Sequence, residues 1–393
     1  MNDLPKGKKR VCVVVHSRAN YGRIKTVMRA IADHDDLDLI LLVGSSALLH
    51  RFGSVVDIIR ADGFTETAVV HSIVEGETPT TMAKSTGLAI IELATHFDNL
   101  KPDIVLTVAD RFETLATAVA ASYMNIPLAH TQGGEVTGSI DESVRHAISK
   151  LAHVHFPATE RAKQYLIRMG ETPQTVFLTG CPAIDLVAEA DLTLPPDIFD
   201  KYKGVGDALT PQRDYIIVLQ HPVTTEYGNG FHQINETLTA AHHFAQQGMQ
   251  IVWLWPNVDA GSDDVAKGIR RFRETHDASN MHFYRNFTPE DYARLLANTR
   301  CIVGNSSSGL REGAFLGTPC VNIGTRQAGR ERAGNVMDVP YAAQAIVQAT
   351  ETHLAHGRYP RSNLVGDGTA GQQIADILAH FQFQIQKRLS YVA

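Results

Sequence analysis

The sequence lacks the features that mark several large classes of proteins. Nowhere in its 393 residues does an apolar run approach the roughly 20 residues that a membrane-spanning helix needs. The pattern G-x-x-x-x-G-K-[ST] is missing, and no G-x-G-x-x-G lies between a predicted strand and a helix. These absences disfavour a membrane protein, a P-loop nucleotidase and a dinucleotide-dependent redox enzyme. Because residues 1–10 are polar and basic and only a short apolar run follows, no secretory signal is predicted.

Cysteine and net positive charge are also scarce. The four cysteines, Cys12, Cys181, Cys301 and Cys320, lie far apart and have no metal-type spacing. They predict neither a disulfide framework nor a metal site, and they fit a reducing cytoplasm. The net charge of −6 argues against a nucleic-acid or anionic-membrane partner. With 44% hydrophobic and 20% charged residues, the composition is typical of a globular protein rather than a disordered chain.

Short β-branched runs alternate along the chain with stretches of helical periodicity, which is the pattern of parallel α/β units. The predicted strands are residues 11–16, 37–43, 104–108, 128–130, 154–156, 175–178, 215–219, 251–255, 282–284, 301–303 and 320–323. The predicted helices are residues 21–32, 113–123, 142–151, 234–247, 263–273, 289–297, a segment from residue 310, and 372–389.

The alternation breaks once, at residues 191–213, which contain three prolines and two glycines and are predicted to be a linker. The sequence therefore predicts an α/β fold of two doubly wound, Rossmann-like domains, at residues 1–190 and 214–370. A C-terminal helix at residues 371–393 is expected to pack back on the first domain. Ligands are expected in the cleft between the domains, at the carboxyl ends of the strands.

The segment 304–313, Gly-Asn-Ser-Ser-Ser-Gly-Leu-Arg-Glu-Gly, follows a predicted strand and precedes a predicted helix. Small hydroxyl residues and glycines at a helix start predict phosphate binding, because free N–H groups and the positive end of the helix dipole face the anion. Ser306 and Ser307 are the candidate ligands. Glu312, about one turn later, is placed to accept hydrogen bonds from a ribose diol. An ordinary serine-capped helix explains the same pattern equally well.

Charged residues also follow the first and third predicted strands directly, where a cleft would gather them. Arg18 follows the first strand and is suited to bidentate binding of a diphosphate. Asp110 and Arg111 follow the strand 104–108. Asp110 is either a base that Arg111 keeps ionised or the N-cap of a helix, with Glu113 completing a capping box. The sequence leaves both interpretations open.

Acidic residues dominate the next two segments. Glu135 lies in an otherwise uncharged loop with three glycines, at residues 131–138, and is predicted to be a general base with a raised pKa. Asp141, Glu142 and Arg145 open the following helix. Acids at a helix start also have a purely dipole-complementing role, so their function stays open here.

The second half of the chain supplies further candidates after its own strands. His221 follows the strand 215–219 and is suited to phosphate binding or proton transfer. Asn257 and Asn286 follow later strands and are candidates for contacts with a base or a ribose. Arg326 offers another cation near the serine-rich segment.

In this order and spacing, the motifs resemble those of the UDP-N-acetylglucosamine 2-epimerases. The matching segments are residues 17–22, 109–113, 133–138, 141–150, 304–312 and 324–327. The similarity runs from about residue 10 to about residue 385 and is greatest to the hydrolysing branch, which releases UDP and N-acetylmannosamine. The resemblance implies a glycosyltransferase-B-like fold with the active site in the interdomain cleft. It also implies a homodimer or homotetramer. The candidate residues include carboxylates and a histidine but no convincing metal cluster, so neither a metal nor a cofactor is expected.

The resemblance assigns roles to individual residues. It places UDP on Arg18, Arg111, His221, Asn257, Ser306, Ser307, Glu312 and Arg326, and Arg145 and Asn286 complete the predicted substrate-binding set. The predicted catalytic residues are Asp110, Glu135, Asp141, Glu142 and His221.

The family chemistry implies removal of the C2 proton, loss of UDP to give a 2-acetamidoglucal, and addition of water with inversion at C2. One carboxylate acts as base and another as acid. Glu135 is the predicted base, and Asp110 and the Asp141/Glu142 pair are the predicted acid and water-directing groups. Asn20 stands where the hydrolysing branch commonly has an acid. Pro222-Val223 stand where the non-hydrolysing branch has a basic residue after its histidine, which favours hydrolysis.

Three alternatives accompany the hydrolysing UDP-N-acetylglucosamine 2-epimerase. The first is a hydrolysing epimerase of UDP-2,4-diacetamido-2,4,6-trideoxyglucose, and the second is a non-hydrolysing UDP-N-acetylglucosamine 2-epimerase. The third is a nucleotide-sugar sensor without catalytic activity. A glycosyltransferase of the same fold is disfavoured, because carboxylates clustered in the first half of the chain predict chemistry on the sugar ring.

Overall fold

The first domain is built on a six-stranded parallel sheet. The computed structural model describes residues 7–50, 53–76, 78–256 and 259–390. The strands of this sheet are β1 (Lys9–Val15), β2 (Leu37–Gly44), β3 (Ala68–Val70), β4 (Ile104–Val108), β5 (Leu128–Thr131) and β6 (Val154–Phe156). The helices are α1 (Arg18–Tyr21), α2 (Lys25–Asp33), α3 (Val55–Ala61), α4 (Pro79–Leu100), α5 (Phe112–Tyr123), α6 (Asp141–Leu151), α7 (Glu160–Arg168) and α8 (Pro182–Glu189).

Strand β1 shows why the sheet is covered on both faces. Val11, Val13 and Val15 are buried in one apolar cluster, which includes residues of α2. Cys12 and Val14 are buried in a second cluster, which includes residues of α4 and α5. Successive side chains of a strand point to opposite faces, so a strand that is apolar at every position needs helices on both sides.

The second domain repeats this plan with a seven-stranded sheet. Its strands are β7 (Gly204–Gly206), β8 (Tyr215–Leu219), β9 (Gln250–Leu254), β10 (Met281–Tyr284), β11 (Ile302–Gly304), β12 (Cys320–Ile323) and β13 (Val336–Val339). The helices that follow are α9 (Gly230–Gln246), α10 (Ser262–Thr275), α11 (Pro289–Asn298), α12 (Ser307–Leu310), α13 (Glu312–Leu316), α14 (Ala343–His356) and α15 (Ala370–His380). No helix in the described part of the chain combines the length and apolar character needed to cross a membrane.

Both sheets have the doubly wound strand order. The first runs β3-β2-β1-β4-β5-β6, and the second runs β13-β12-β11-β8-β9-β10-β7, in which β7 is an antiparallel edge strand. The order reverses between β1 and β4 in the first sheet and between β8 and β11 in the second. Ligands bind at such switch points, outside the carboxyl ends of the strands. The prediction of two Rossmann-like α/β domains is confirmed.

Several predicted segments differ in the structure, among them the linker, residues 175–178 and the C-terminal helix. Part of the predicted linker belongs to the second domain: β7 pairs with β10, and Ile198 and Phe199 are buried in that domain's core. Residues 175–178 form no strand, because a 3₁₀ turn at Pro173–Thr175 leaves only a bridge between Val176 and His155. The C-terminal helix ends at His380 rather than continuing to residue 389.

The residues beyond α15 are held to the first domain without helical structure. Lys387 forms an ion pair with buried Glu171 at 2.6 Å. The same ammonium donates to the carbonyl oxygens of Ser149 and Ala152, near the end of α6. The charge of Lys387 therefore balances a buried carboxylate and also satisfies the last carbonyls of a helix.

Helix α15 itself is buried against the first domain. Ile374 and Leu378 lie in the same apolar cluster as the residues of β1 and α2. At the start of α15, Asp185 of α8 accepts hydrogen bonds from the backbone N–H groups of Ala370 (3.0 Å) and Gly371. It also accepts one from the Thr26 hydroxyl at 3.2 Å. One buried carboxylate thus caps the helix from another element.

We predict that Asp185→Ala lowers the free energy of unfolding by about 1–3 kcal/mol, because it leaves two buried N–H groups without an acceptor. Urea denaturation measures the change. Asp33→Ala, at an exposed aspartate on α2, is the matched control and should change stability by less than about 0.5 kcal/mol. Equal stability of the two variants would contradict the capping role.

Candidate active site

The switch points of the two sheets face each other across one cleft. Its empty space is about 1170 Å³, including the solvent at its mouth. Arg18 after β1, Asp110 and Arg111 after β4, and His221 after β8 line it. The remaining charged or hydroxyl-bearing residues that line it are Arg23, Thr137, Asp141, Tyr292, Ser306, Ser307, Ser308, Glu312, Arg326 and Arg330. The topology therefore brings most of the predicted site residues together.

The serine-rich segment forms a broken helix rather than the continuous one predicted from residue 310. Ser306 caps α12, with its side chain accepting the N–H of Ser308 at 3.3 Å. The helix stops after four residues at Arg311, and α13 begins at Glu312. A helix this short has little dipole, so an anion here depends on hydroxyl groups and on nearby cations.

Arginines supply that positive charge. Arg23 of the first domain donates to the Ser307 hydroxyl at 2.6 Å, across the cleft. Arg326, which also lines the cleft, donates to the carbonyl of Asn305 at 3.2 Å. Although the whole chain has a net charge of −6, this end of the cleft is cationic. Such a site is suited to a phosphate or a diphosphate.

Arg18 bridges the two domains. Its guanidinium donates to the backbone carbonyl of Arg285 at 3.0 Å and to Oδ1 of Asn286 at 3.2 Å. Burial lowers the pKa of Arg18 to about 10, which leaves the side chain charged at neutral pH. The Nδ2 group of Asn286 is buried and has no protein partner. It is therefore a donor available to a ligand.

The structure decides between the two interpretations of Asp110. Helix α5 has Arg111 at its N-cap and no side-chain cap hydrogen bond, so the predicted capping box is absent. The Asp110 carboxylate instead forms an ion pair with Arg145, and Arg330 lies 3.9 Å away. Arg145 is fully buried and also donates to the backbone carbonyl of Glu135 at 2.7 Å. Asp110 is thus a cleft carboxylate held by cations.

Glu135 differs from its prediction in two respects. It does not line the main cleft but a smaller cavity beside it, which it shares with Arg311 and Arg330. Burial alone would raise the pKa of Glu135, but the charges of Arg311 and Arg330 outweigh burial and lower it. The loop is uncharged in sequence, yet its neighbours from the second domain are cations. The predicted raised pKa is therefore wrong, and Glu135 stays ionised.

Asp141, at the start of α6, has the opposite environment. It is half-buried at the edge of the main cleft, and the desolvation of its carboxyl group raises its pKa. Arg326 and Arg111 oppose the rise, whereas the carboxylate of Asp259 adds to it. The environment of Asp141 therefore favours the protonated form, whereas that of Glu135 favours the ionised form.

Glu142 has a supporting contact rather than a place in the cleft lining. Its carboxylate accepts the backbone N–H of Thr137 at 2.9 Å and lies 3.6 Å from His146. These contacts fix the loop that contains Glu135 to the start of α6.

The remaining predicted residues fall at the nucleotide end of the cleft. Burial, together with the charges of Arg326 and Arg18, lowers the pKa of His221 well below its ordinary value, so the imidazole is neutral. Its backbone N–H donates to Oδ1 of Asn305 at 2.7 Å. Burial raises the pKa of Glu312, and Oε2 of that residue has no protein partner. Asn257 lies outside the described residues.

Four charged residues were not among the predicted site residues. Arg23 and Arg311 lie within or beside the matching motifs, and the signal that could have found them is their adjacency to Arg18 and Glu312. Arg330 lies four residues beyond Arg326, where nothing in the sequence marks it. Asp259 pairs with Arg111 at 2.8 Å from the other domain, which no local pattern predicts.

Close approach of the domains depends on Gly138. Its N–H donates to the carbonyl of Arg326 at 3.1 Å, and a Cβ there would overlap the carbonyl oxygen of Thr325. On the other domain, Gly329 has φ +74°, and its Cβ would lie 2.7 Å from Val136. Because both contacts are made without side chains, the loop of Glu135 can dock directly on the loop of Arg330.

We predict that Gly138→Ala separates the domains without unfolding either one, since the three atoms nearest to the new methyl group all belong to Thr325 and Ala328 of the second domain. Small-angle scattering should show a larger radius of gyration for this variant, with an unchanged far-UV circular dichroism spectrum.

Gly87→Ala is the matched control, because a Cβ at Gly87 in α4 meets no atom within 4 Å. It should keep the radius of gyration and gain up to about 1 kcal/mol of stability from helix propensity. An unchanged radius for Gly138→Ala would contradict the docking role.

The chain is similar to one known protein family over most of its length. A family model described as UDP-N-acetylglucosamine 2-epimerase matches residues 29–379. The UDP-N,N′-diacetylbacillosamine 2-epimerase (hydrolyzing) of Legionella pneumophila is 34% identical over 371 residues, covering 94% of this chain and 95% of that protein.

Two further relatives extend this result. The GDP/UDP-N,N′-diacetylbacillosamine 2-epimerase (hydrolyzing) of Campylobacter jejuni is 29% identical over 335 residues, covering 84% of each chain. The crystal structure of UDP-GlcNAc 2-epimerase from Neisseria meningitidis bound to UDP-GlcNAc superposes with a TM-score of 0.76, at 20% identity over 94% of this chain and 99% of that one. The superposition confirms the predicted glycosyltransferase-B-like fold.

Proposed function

Because the chain belongs to the UDP-N-acetylglucosamine 2-epimerase family, we propose that it is a hydrolysing 2-epimerase of UDP-activated 2-acetamido sugars. It converts the UDP-sugar and water to UDP and the free sugar with the opposite configuration at C2. The observation that carries this proposal is the 34% identity, over nearly the whole chain, to a relative named as hydrolyzing. A homodimeric or homotetrameric, cytoplasmic enzyme is part of the same proposal.

The cationic end of the cleft is our candidate for the UDP site. Ser306, Ser307, Arg23 and Arg326 surround a space suited to the diphosphate. Positive charge fixed there stabilises the diphosphate as it leaves, which lowers the barrier to breaking the bond between C1 and the phosphate oxygen. The unpartnered oxygen of Glu312 is free to accept hydrogen bonds from a ribose diol.

The proposed reaction has two proton transfers, and different carboxyl groups of the first domain carry them out. In the first step, a base takes the proton from C2 while the C1–O bond breaks, giving UDP and a 2-acetamidoglucal. In the second step, water adds its oxygen to C1 and releases one proton to the solvent, and an acid protonates C2 from the other face. Two carboxyl groups whose environments favour opposite protonation states are suited to these two roles.

We assign the acid to Asp141 and the base to Asp110. Asp141 lines the cleft in an environment that favours its protonated form. Asp110 also lines the cleft, and Arg145 and Arg330 accompany its carboxylate. A base has to reach the C2 proton, and Glu135 lies behind Arg330 in the neighbouring cavity. We therefore assign Glu135 the role of balancing Arg311 and Arg330 rather than that of the base predicted from the sequence.

The sugar itself has two candidates. UDP-N-acetylglucosamine is the sugar nucleotide in the family's description. The hydrolyzing relatives from L. pneumophila and C. jejuni are both named for UDP-N,N′-diacetylbacillosamine, which is the 2,4-diacetamido-2,4,6-trideoxyglucose derivative. We rank the diacetamido sugar first, because the relative at 34% identity is named for it.

An NMR time course in D₂O with each sugar nucleotide in turn tests the reaction. We expect free UDP and a 2-epimerised sugar with deuterium at C2, and a higher kcat/KM for the diacetamido substrate. Equilibration of intact UDP-sugars would contradict hydrolysis. The absence of any reaction with both substrates would contradict the epimerase assignment.

A pair of variants tests the choice of base. Asp110→Asn should lower kcat by about 10²–10⁴-fold and abolish solvent exchange at C2, with UDP binding retained in calorimetry. Glu135→Gln should keep measurable exchange, since it alters a charge balance rather than the base.

Each of these substitutions leaves buried arginines with one carboxylate fewer. Thermal unfolding of each variant therefore shows whether a loss of activity comes from a loss of stability. Asp110→Glu, which keeps the charge but moves the carboxylate, should fold like the parent and also lose rate. If solvent exchange at C2 survives in Asp110→Asn but disappears in Glu135→Gln, Glu135 is the base and Asp110 is not.

A further inference from the structure

Asp259 reaches across the cleft to the catalytic side of the first domain. It lies in the turn before α10, where its carbonyl accepts the N–H of Ser262 at 3.0 Å. Its carboxylate meets Nη1 of Arg111 at 2.8 Å, and both side chains are nearly buried. The other side of the same guanidinium is held by Glu113, at 3.1 Å from Nη2. Arg111 therefore lies between two carboxylates, one from each domain.

Asp259 also shares a cavity with Asp141. This cavity is distinct from the main cleft and from the cavity of Glu135; its empty space is about 760 Å³, and it is lined largely by apolar side chains of α4, α5 and α6. Asp141 lines both this cavity and the main cleft, and Asp259 lines this cavity. The two carboxyl groups thus come from opposite domains to one mostly apolar space. In such apolar surroundings, two charges of the same sign repel each other strongly.

The charges around Asp141 decide which state it adopts. Arg326 faces it from the second domain and Arg111 from the start of α5, and both favour the ionised carboxylate. Glu113 balances one side of Arg111. On its own helix, Glu142 is turned to the N–H of Thr137, and the Ser139 hydroxyl accepts the N–H of Asp141. From α4, the cavity is lined by Pro79 and Met82, which carry no charge.

We infer that Asp259 is a positioning residue for the proposed reaction: it orients Arg111, stands near Asp141, and with its negative charge helps Asp141 to keep its proton. The inference rests on the proposed function, in which Asp141 is the acid. The contact between the domains then does more than enclose the sugar, because the second domain supplies Asp259 as well as Arg326, and the charge of Asp259 offsets part of the effect of Arg326 on Asp141.

The rise in the Asp141 pKa agrees with this geometry, because burial and then Asp259 act in the same direction. Removing the Asp259 charge has two effects of the same sign. It takes away a like charge, and it frees part of Arg111 to stabilise the Asp141 carboxylate. Both effects lower the Asp141 pKa.

The test compares full-length Asp259→Asn with the parent enzyme over a range of pH. An acid is active while it is protonated, so activity falls as pH rises through its pKa. We expect the alkaline limb of the kcat profile to move to lower pH by roughly one unit in Asp259→Asn, as expected for loss of one neighbouring charge. The affinity for UDP, measured by calorimetry, should stay within about threefold of the parent value.

Two variants control the experiment. Asp263→Asn removes an exposed acid from the first turn of α10, in the same region of the second domain, and should leave the limb in place. Asp259→Glu keeps the charge and should restore the limb even where kcat is reduced. An unmoved limb in Asp259→Asn would overturn the inference, and so would an equal movement in Asp263→Asn.

Titration of the carboxyl group itself separates this inference from the proposed function. With ¹³C-labelled aspartate, and with Asp141→Asn to assign the signal, NMR follows the Asp141 carboxyl directly. A lower pKa in Asp259→Asn supports the inference even for an enzyme that turns over neither sugar nucleotide. If the Asp141 carboxyl group titrates in Asp259→Asn as it does in the parent enzyme, the inference is wrong, even when the parent enzyme is fully active.

Discussion

The pairing of buried arginines with carboxylates across the cleft is the constraint on which the rest of the structure depends. In the described part of the chain, the arginines at the cleft or directly behind it are Arg18, Arg23, Arg111, Arg145, Arg311, Arg326 and Arg330. Charges removed from water have to be paired. Four of these ion pairs join the domains: Arg111 with Asp259, Arg311 with Glu135, Arg330 with Asp110, and Arg330 with Glu135. The arginine-rich end of the cleft is therefore balanced only when the two halves of the molecule meet.

The same constraint separates the carboxylates by environment. Glu135 lies among cations from the second domain, which lower its pKa. The pKa of Asp141 rises, chiefly through desolvation, and Asp259 of the second domain adds to the rise while Arg326 opposes it. Residues of the second domain thus help to set the protonation states of carboxyl groups on the first. Gly138 and Gly329 allow the loops to approach closely enough for this to happen. The proposed reaction uses Asp141 as the carboxyl group with a proton and Asp110, which is paired with Arg145, as the one without.

The sequence predicts features that depend on local interactions well, and it predicts poorly those that depend on contacts between the domains. The buried strands β4 and β8 were predicted with their observed bounds, because runs that are apolar on both faces occur only between helices. Helix α4 was not predicted, since its buried stripe is Ser85, Ala89, Leu93 and Phe97, which gives little apolar contrast. The candidate site residues that directly follow strands could be identified, because the carboxyl ends of parallel strands lie at the same edge of the sheet. The environment of Glu135 was predicted wrongly, because Arg311 and Arg330 reach it from the other domain.

A crystal structure of Asp110→Asn with an intact UDP-sugar would test the account most directly, because this variant should bind the substrate without converting it. The account predicts the diphosphate among Ser306, Ser307, Arg23 and Arg326. It also predicts that C2 of the sugar lies within about 3.5 Å of the residue 110 side chain, with Asp141 on the opposite face of the ring. A sugar ring seated against Glu135, or both carboxyl groups on one face of C2, would contradict it.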